Sequence, residues 1–271
     1  LDRPEYLQLA QTAPSVVAGD ALPVLIDEYQ RAPVILDAIK ARLNLGAHPG
    51  MFVLAGSASF DSLPANTQAL TGRIQRVPVL PLAQTEIDGT GNQFIEAALD
   101  GEVAHHARAA VTTRTEYVDR IVRGGMPLAV LAPSDDARAR WFASHVRQSV
   151  ERDAGELRRL GRRADLPHVL TRVAGQTAGL LNVSKVAQGL EASRDTVTSY
   201  LGLLEALFLI RLLPAWGTTV SSRSVAAPKV HVLDSGIGAS LLRLSRAKLE
   251  RRDPSALTEF GHLLESFVVE E

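Results

Sequence analysis

Two short stretches are apolar at every position rather than at every second one: Val24–Leu25–Ile26, and the run from Met51 to Ala55. A strand with one wet face alternates; a strand apolar throughout belongs in a sheet covered on both faces. Each run leads into a helical pattern. "APVILDAIKARLNLG" sets Val34, Leu36, Ile39 and Leu43 near helical spacing, with Gly46 as the stop. "FDSLPANTQALTG" is a second helical stretch, broken by Pro64. "RIQRVPVLPL" reads as a third strand. Strands separated by helices imply parallel pairing with helices on the sheet faces. In such a sheet ligands bind at the carboxyl ends of the strands. Asp27–Glu28 and Gly56–Ser57 fall there.

Composition sets the outer limits. The 271 residues suffice for two compact domains and a piece of a third, and the 46% hydrophobic content excludes global disorder. With 29 basic and 30 acidic residues the net charge is -1, so any nucleic-acid binding must come from a local patch. The chain has no cysteine, which excludes disulfides, cysteine zinc sites and thiol nucleophiles and fits a cytoplasmic protein. No apolar run approaches the roughly 18–20 residues of a membrane span, and no signal peptide opens the sequence.

From Gln84 to about Leu180 the pattern is helical. "TEYVDRIVRGG" ends at Gly124–Gly125, and "DDARARWFASHVRQSVERDAGELRRLG" is a long helix with Asp135 or Asp136 near its cap. The arginines between Arg147 and Arg163 alternate with acids, as on a solvated helix face. Then a tighter unit follows. "NVSKVAQGL" and "SRDTVTSYLGLLEAL" are two helices across a short turn, with Ser193 as cap of the second. "FLIRLLPAW" and "KVHVLD" form a returning hairpin. That order is the order of a winged helix-turn-helix. The last segment sets Phe260, Leu263, Leu264, Phe267 and Val268 on one helical stripe and stops at Glu271 without glycine or proline. The chain also starts at Leu1 rather than Met, so both ends read as cut.

Three features carry candidate chemistry. Asp27 and Glu28 at a strand tip suit an NTPase, with one carboxylate holding the Mg²⁺ hydration shell and the other polarising the attacking water. The plain alternative is a strand that ends in acids. Ser57, on the next strand, is placed to touch that water or a γ-phosphate; the alternative is a turn serine. Arg73 could neutralise phosphoryl charge within the subunit or across an interface; the alternative is a surface salt bridge. His105–His106 lacks a third ligand at metal spacing and reads as a surface pair. Trp141 and Trp216 read as core or hinge residues.

The order and spacing of these features resemble AAA+-superfamily ATPases that continue into a winged helix and a nuclease-like domain of unknown function. The matching phrases are "VLIDEYQRAPVILDAIK", "GMFVLAGSAS", "ALTGRIQRVPVLPLAQTEI", "RGGMPLAVLAPSDDARARWFASHVRQSVERD", "SRDTVTSYLGLLEALFLIRLLPAW", "APKVHVLDSGIGASLL" and "LLESFVVEE". The resemblance implies an incomplete α/β parallel-sheet, P-loop NTPase-like domain followed by a helical region and a winged helix-turn-helix. It divides the chain into an ATPase core over 1–90, a helical lid over 91–180, a winged helix over 181–235 and the opening of a truncated nuclease-like domain over 236–271. Asp27 and Glu28 become the Walker B pair, Ser57 the sensor, Arg73 an arginine finger or sensor, and Glu265 the first acid of the nuclease-like fold.

The sequence departs from that family in one place. No G-x-x-x-x-G-K-[ST] phosphate loop occurs in the 271 residues. Without its backbone N–H groups and lysine, ATP with Mg²⁺ is not expected to bind tightly here. A missing loop and strand would also leave strand edges and an apolar slot open, for a second copy or a completing segment to fill. The expectation is a fragment, or a gene truncated at both ends.

For DNA, Arg194, Thr198 and Ser199 lie on the outer face of the second helix of the winged unit, and Lys185, Arg211, Arg223 and Lys229 are placed to meet phosphates. Glu191 and Asp195 oppose that approach, and packing on the nucleotide domain is the competing role. The function read from the sequence is therefore part of an ATP-hydrolysing, DNA-associated ATPase. The alternative is a non-enzymatic winged-helix module for DNA or protein, with a vestigial ATPase half.

Overall fold

The computed structural model describes residues 1–19, 21–57, 70, 72–91, 94–101, 112–150, 165–217 and 227–271. His105–His106, Arg223, and the expected helical stretches over 58–69 and 151–163 lie outside the described residues. Two compact units emerge. The first is built on Leu1–Pro78 and also takes in Gly202–Phe208, the end of a helix that begins in the second; the second takes in Val79–Gln148 and Leu209–Glu271 together with 165–201.

The first unit opens with helices α1 (Pro4–Thr12) and α2 (Pro14–Val17), each with proline in its first turn, where the missing N–H costs nothing. Strand β1 (Val24–Ile26), helix α3 (Ile35–Asn44) and strand β2 (Phe52–Leu54) follow. β1 and β2 pair in parallel, with Val24 opposite Phe52, Leu25 opposite Val53 and Ile26 opposite Leu54. The parallel reading of the two apolar runs is thus borne out. Ile26 turns inward with Ile35, Leu36 and Ile39 of α3 and Ala10 of α1. Leu36 and Ile35 are fully buried, and emptying either position to alanine costs about 2–5 kcal/mol. The opposite face of the pair differs from expectation: Leu25 is 68% and Val53 49% exposed.

The expected third strand is not formed. Residues 74–83 make no ladder among the described residues, and Val77 and Val79 are exposed. Pro78 and Pro81 remove two backbone donors from the middle of that run, which disfavours a central strand.

The second unit begins with α4 (Gln84–Ile87) and α5 (Phe94–Leu99). It continues through α6 (Arg114–Arg123), α7 (Pro127–Val130) and α8 (Asp135–Gln148). α6 starts with a reciprocal cap: Thr113 accepts from the Glu116 backbone N–H, and the Glu116 carboxylate accepts from the Thr113 N–H. Next come α9 (Leu166–Ala174), strand β3 (Gly179–Leu180), α10 (Val183–Ala187) and α11 (Arg194–Ala206). Strands β4 (Ile210–Leu213) and β5 (Lys229–Val232) precede α12 (Ser235–Leu241), α13 (Arg246–Leu249) and α14 (Pro254–Glu270). β3, β5 and β4 form an antiparallel sheet in that order. α14 packs on α6, α12 and α13, burying Leu263 and Phe267 with Val118, Ile121 and Leu249. Of its expected stripe, Val268 alone is largely exposed, at 61%. A second cluster joins Phe142, Ala129, Ala174, Val232 and Ile237.

Candidate functional site

The ladder carries the two strand tips to one place. Ala55 N–H donates to the Ile26 carbonyl at 3.0 Å, and the Tyr29 N–H donates to the Ala55 carbonyl at 3.4 Å, so pairing runs past the strands into both tips. Asp27 is exposed there, and its Oδ1 accepts from the Glu28 N–H at 3.0 Å. Glu28 takes the left-handed conformation, with φ of 53°, unusual for a residue with a Cβ. That turn swings its carboxylate back over the strand end. There it accepts from the Gln30 amide, which also donates to the Ser57 hydroxyl at 3.3 Å.

Gln30 was not singled out from the sequence, yet it connects the acidic tip to the serine tip. Its NH₂ must face Glu28, since the amide oxygen would repel a carboxylate. The Gln30 Oε1 is buried without a partner among the described residues. It rests on Gly56, where any Cβ would overlap it. The signal that could have found Gln30 is its place two residues after the acids, in "DEYQ", facing a glycine on the neighbouring strand.

Two chemical consequences follow from the direction of these bonds. One oxygen of Glu28 is occupied and the other stays available to a water. The Ser57 oxygen accepts, so its own proton points away from Gln30 and is available to an anionic ligand.

Arg73 lies elsewhere. Its guanidinium donates to the Asn44 side chain at 2.6 Å, at the last residue of α3. It borders an open cleft of about 770 Å³ with Leu43, His48, Gly50 and Met51, at the start of β2. The structure thus brings Glu28 and Ser57 together and sets Arg73 at the opposite end of the strands.

The second unit presents the DNA candidates. Arg194, Thr198 and Ser199 are exposed on α11, and Lys185 is exposed on α10. Ser193 caps α11 as expected, accepting from the Thr196 N–H at 3.1 Å. The hydroxyls of Thr198 and Ser199 donate to the Arg194 and Asp195 carbonyls one turn back. They would have to give up those bonds to reach a phosphate, which leaves Arg194 as the main donor of this face. Arg172 of α9 donates to the carbonyls of Val186 and Gln188, fixing the end of α10. Lys229 is paired with Glu265. Trp141 stacks on His145, with ring centroids 4.9 Å apart, while Trp216 is exposed after β4 rather than in a core.

Another carboxylate is engaged fully inside the second unit. Asp234 is buried and accepts from the N–H groups of Gly125, Met126 and Ile237 at 2.8, 3.1 and 2.8 Å. Burial raises its pKa, and the backbone donors pull it back down. Gly124 leaves room for that carboxylate, since a Cβ there would overlap it. Glu270 is partly buried nearby. Burial, with the Asp234 charge beside it, pushes its carboxyl well above the ordinary range.

Comparison with known proteins divides the chain in a similar way. Residues 2–88 match the model of an AAA domain. Residues 114–248 match that of a domain of unknown function, DUF8612. Two uncharacterized mycobacterial proteins, from Mycobacterium tuberculosis and Mycobacterium bovis, are each 24% identical over 249 residues, covering 92% of this chain and 50% of their own. The chain thus spans about half the length of the curated relatives it matches. No solved structure matches it significantly. The AAA match and the parallel strand pair agree on an AAA-like α/β region at residues 2–88. Among the described residues no helix is long and apolar enough to cross a membrane, and no three His, Asp or Glu side chains cluster as a metal site.

Proposed function

We propose that this chain is part of an ATP-hydrolysing AAA+ machine associated with duplex DNA, with the nucleotide chemistry at Asp27, Glu28 and Ser57. The observation that carries the reading is the Gln30 bridge between Glu28 and Ser57, at the carboxyl tips of two parallel strands in the AAA-like region. Asp27 is a hard oxygen donor exposed at the tip beside Ser57, suited to Mg²⁺ held through its water shell. When bound, Mg²⁺ supplies charge neutralisation on the phosphate oxygens. Asp27 would hold the metal through its water shell. Glu28 uses its available oxygen to polarise the attacking water, while Gln30 keeps the carboxylate turned toward the site. Ser57 offers its hydroxyl proton to the γ-phosphate. Arg73, far from these tips, serves a neighbouring copy as arginine finger in this reading, so the active form is an oligomer.

The sequence holds no phosphate loop, so binding of MgATP by this chain is weak in our reading. Crosslinking with a γ-azidoanilide of ATP tests it. The expected label falls on peptides holding Glu28 and Ser57, needs Mg²⁺, and is lost in Asp27→Asn. Labelling indifferent to Mg²⁺ and to Asp27 would overturn the assignment.

The DNA half of the proposal rests on element order. The order α9, β3, α10, α11, β4 and β5, with a sheet ordered β3–β5–β4, supports a winged helix-turn-helix reading. α11 is then the recognition helix, with Arg194 as its leading phosphate or base contact and Lys185 beside it; Lys229, on β5, is the strand's cation toward the wing. The same order supports the second reading, a non-enzymatic winged-helix module. The two part at the crosslinking result.

A further inference from the structure

The antiparallel register places Lys229 with Leu180 and Leu213, and His231 with Arg211, on one face of the three-stranded sheet. The other face, with Val230, Val232 and Ile210, is buried in the core. On a wing, the cationic face would be the one available to a phosphate backbone. Here α14 lies across it. The Ser266 hydroxyl bonds to His231 Nδ1 at 3.1 Å and to the Thr177 hydroxyl at 2.8 Å, and all three side chains are buried. Thr177 in turn accepts from the Val232 N–H at 3.0 Å, so the helix is fastened to the strand at a fixed register. One residue before Ser266, Glu265 takes the Lys229 ammonium. One turn after it, Glu270 accepts from the Ser235 N–H at 3.3 Å, and Arg211 is near enough to offset part of the burial effect on its carboxyl.

We infer that α14 is a built-in acidic competitor for polyanions, with Glu265 holding Lys229 in place of a duplex phosphate. The inference rests on the DNA reading above. Its geometry is particular: a buried Ser–His–Thr network sets the helix, and the helix then presents a carboxylate to a cation that the wing would otherwise offer. The pair itself is half-exposed, with 42% of Lys229 and 45% of Glu265 accessible, so a phosphate can compete for the cation and the restraint is modest. DNA binding by this chain is held below what its cations would support, and any partner that draws Glu265 away would raise it.

The test is fluorescence anisotropy of a labelled duplex across a salt series, on wild type, Glu265→Gln, Lys229→Gln and the double variant, with circular dichroism to confirm folding. Glu265→Gln should bind about two- to fivefold tighter at low salt, as expected for freeing one exposed pair. Its log affinity against log salt should steepen by about 0.9, one further phosphate contact. The double variant should lose that gain. Salt-dependent binding that is the same in wild type and Glu265→Gln overturns the competitor while leaving the DNA reading standing. A gain that persists in the double variant also overturns it, because the effect is then general charge. Absence of salt-dependent binding in every variant removes both.

Discussion

Two aspartates follow apolar strands in this chain, and they do opposite things. Asp27 ends "VLID" and Asp234 ends "HVLD". Asp27 is exposed and accepts a bond from its neighbour's backbone, leaving most of its capacity to solvent. Asp234 is 1% exposed and is consumed by three backbone donors from two segments. The difference comes from what each strand tip faces. β1 ends at an open tip beside Ser57; β5 ends under the turn at Gly125–Met126, whose N–H groups point inward and need an acceptor. A strand-end acid is therefore a reagent where the tip is open and a clamp where the tip is roofed by backbone.

Replacing the clamp should give the largest effect. Asp234→Ala leaves buried N–H groups without an acceptor, and the expected loss is about 3–5 kcal/mol in denaturant unfolding. Asp27→Ala should change stability by no more than about 0.5 kcal/mol. Equal losses in the two variants would break the comparison.

The glycines sharpen it. Gly125→Ala pushes a Cβ into the Leu82 backbone, which cannot step aside, and should cost about 2–3 kcal/mol. Gly56→Ala meets the end of the Gln30 side chain first and the Tyr29 ring at 3.1 Å, side chains rather than backbone, so its cost should stay near 1 kcal/mol while Gln30 is displaced from Glu28 and Ser57. An NMR shift of the Gln30 side-chain amide, alike in Gly56→Ala and Ser57→Ala, is the expected sign.

The smallest effect is a pH trend. Glu270 is raised in the fold above its ordinary 4.5, so its contribution is stabilising below that value and is lost as pH rises through the raised folded value. Glu270→Gln should therefore become more stable relative to wild type as pH climbs from 4.5 towards 8. A constant difference across that range would show that Glu270 ionises as freely folded as unfolded.

The parallel pair was legible because continuous apolarity allows few alternatives, and helix starts were legible where a side chain does the capping, as at Ser193. The third strand was misread because apolar content hid the two prolines that deny it donors. Glu28 and Ser57 stand out from their tips, whereas the "DEYQ" spacing points to Gln30 only once Gly56 is known to face it across the ladder. Arg73 groups with them by chain order, whereas α3 carries its partner Asn44 to the far end of the strands. Asp234 went unnoticed because "VLDSG" resembles the open tip in sequence; its roof comes from residues 109 positions earlier.

Paramagnetic broadening by Mn²⁺ with ATP tests the central claim most directly, because it registers weak binding in this chain as it stands. The account predicts selective loss of amide signals at residues 26–30 and 55–57, competed by Mg²⁺ and abolished in Asp27→Asn, with the amides around Asp234 untouched. Broadening that ignores Asp27, or that centres on the second unit, would contradict it.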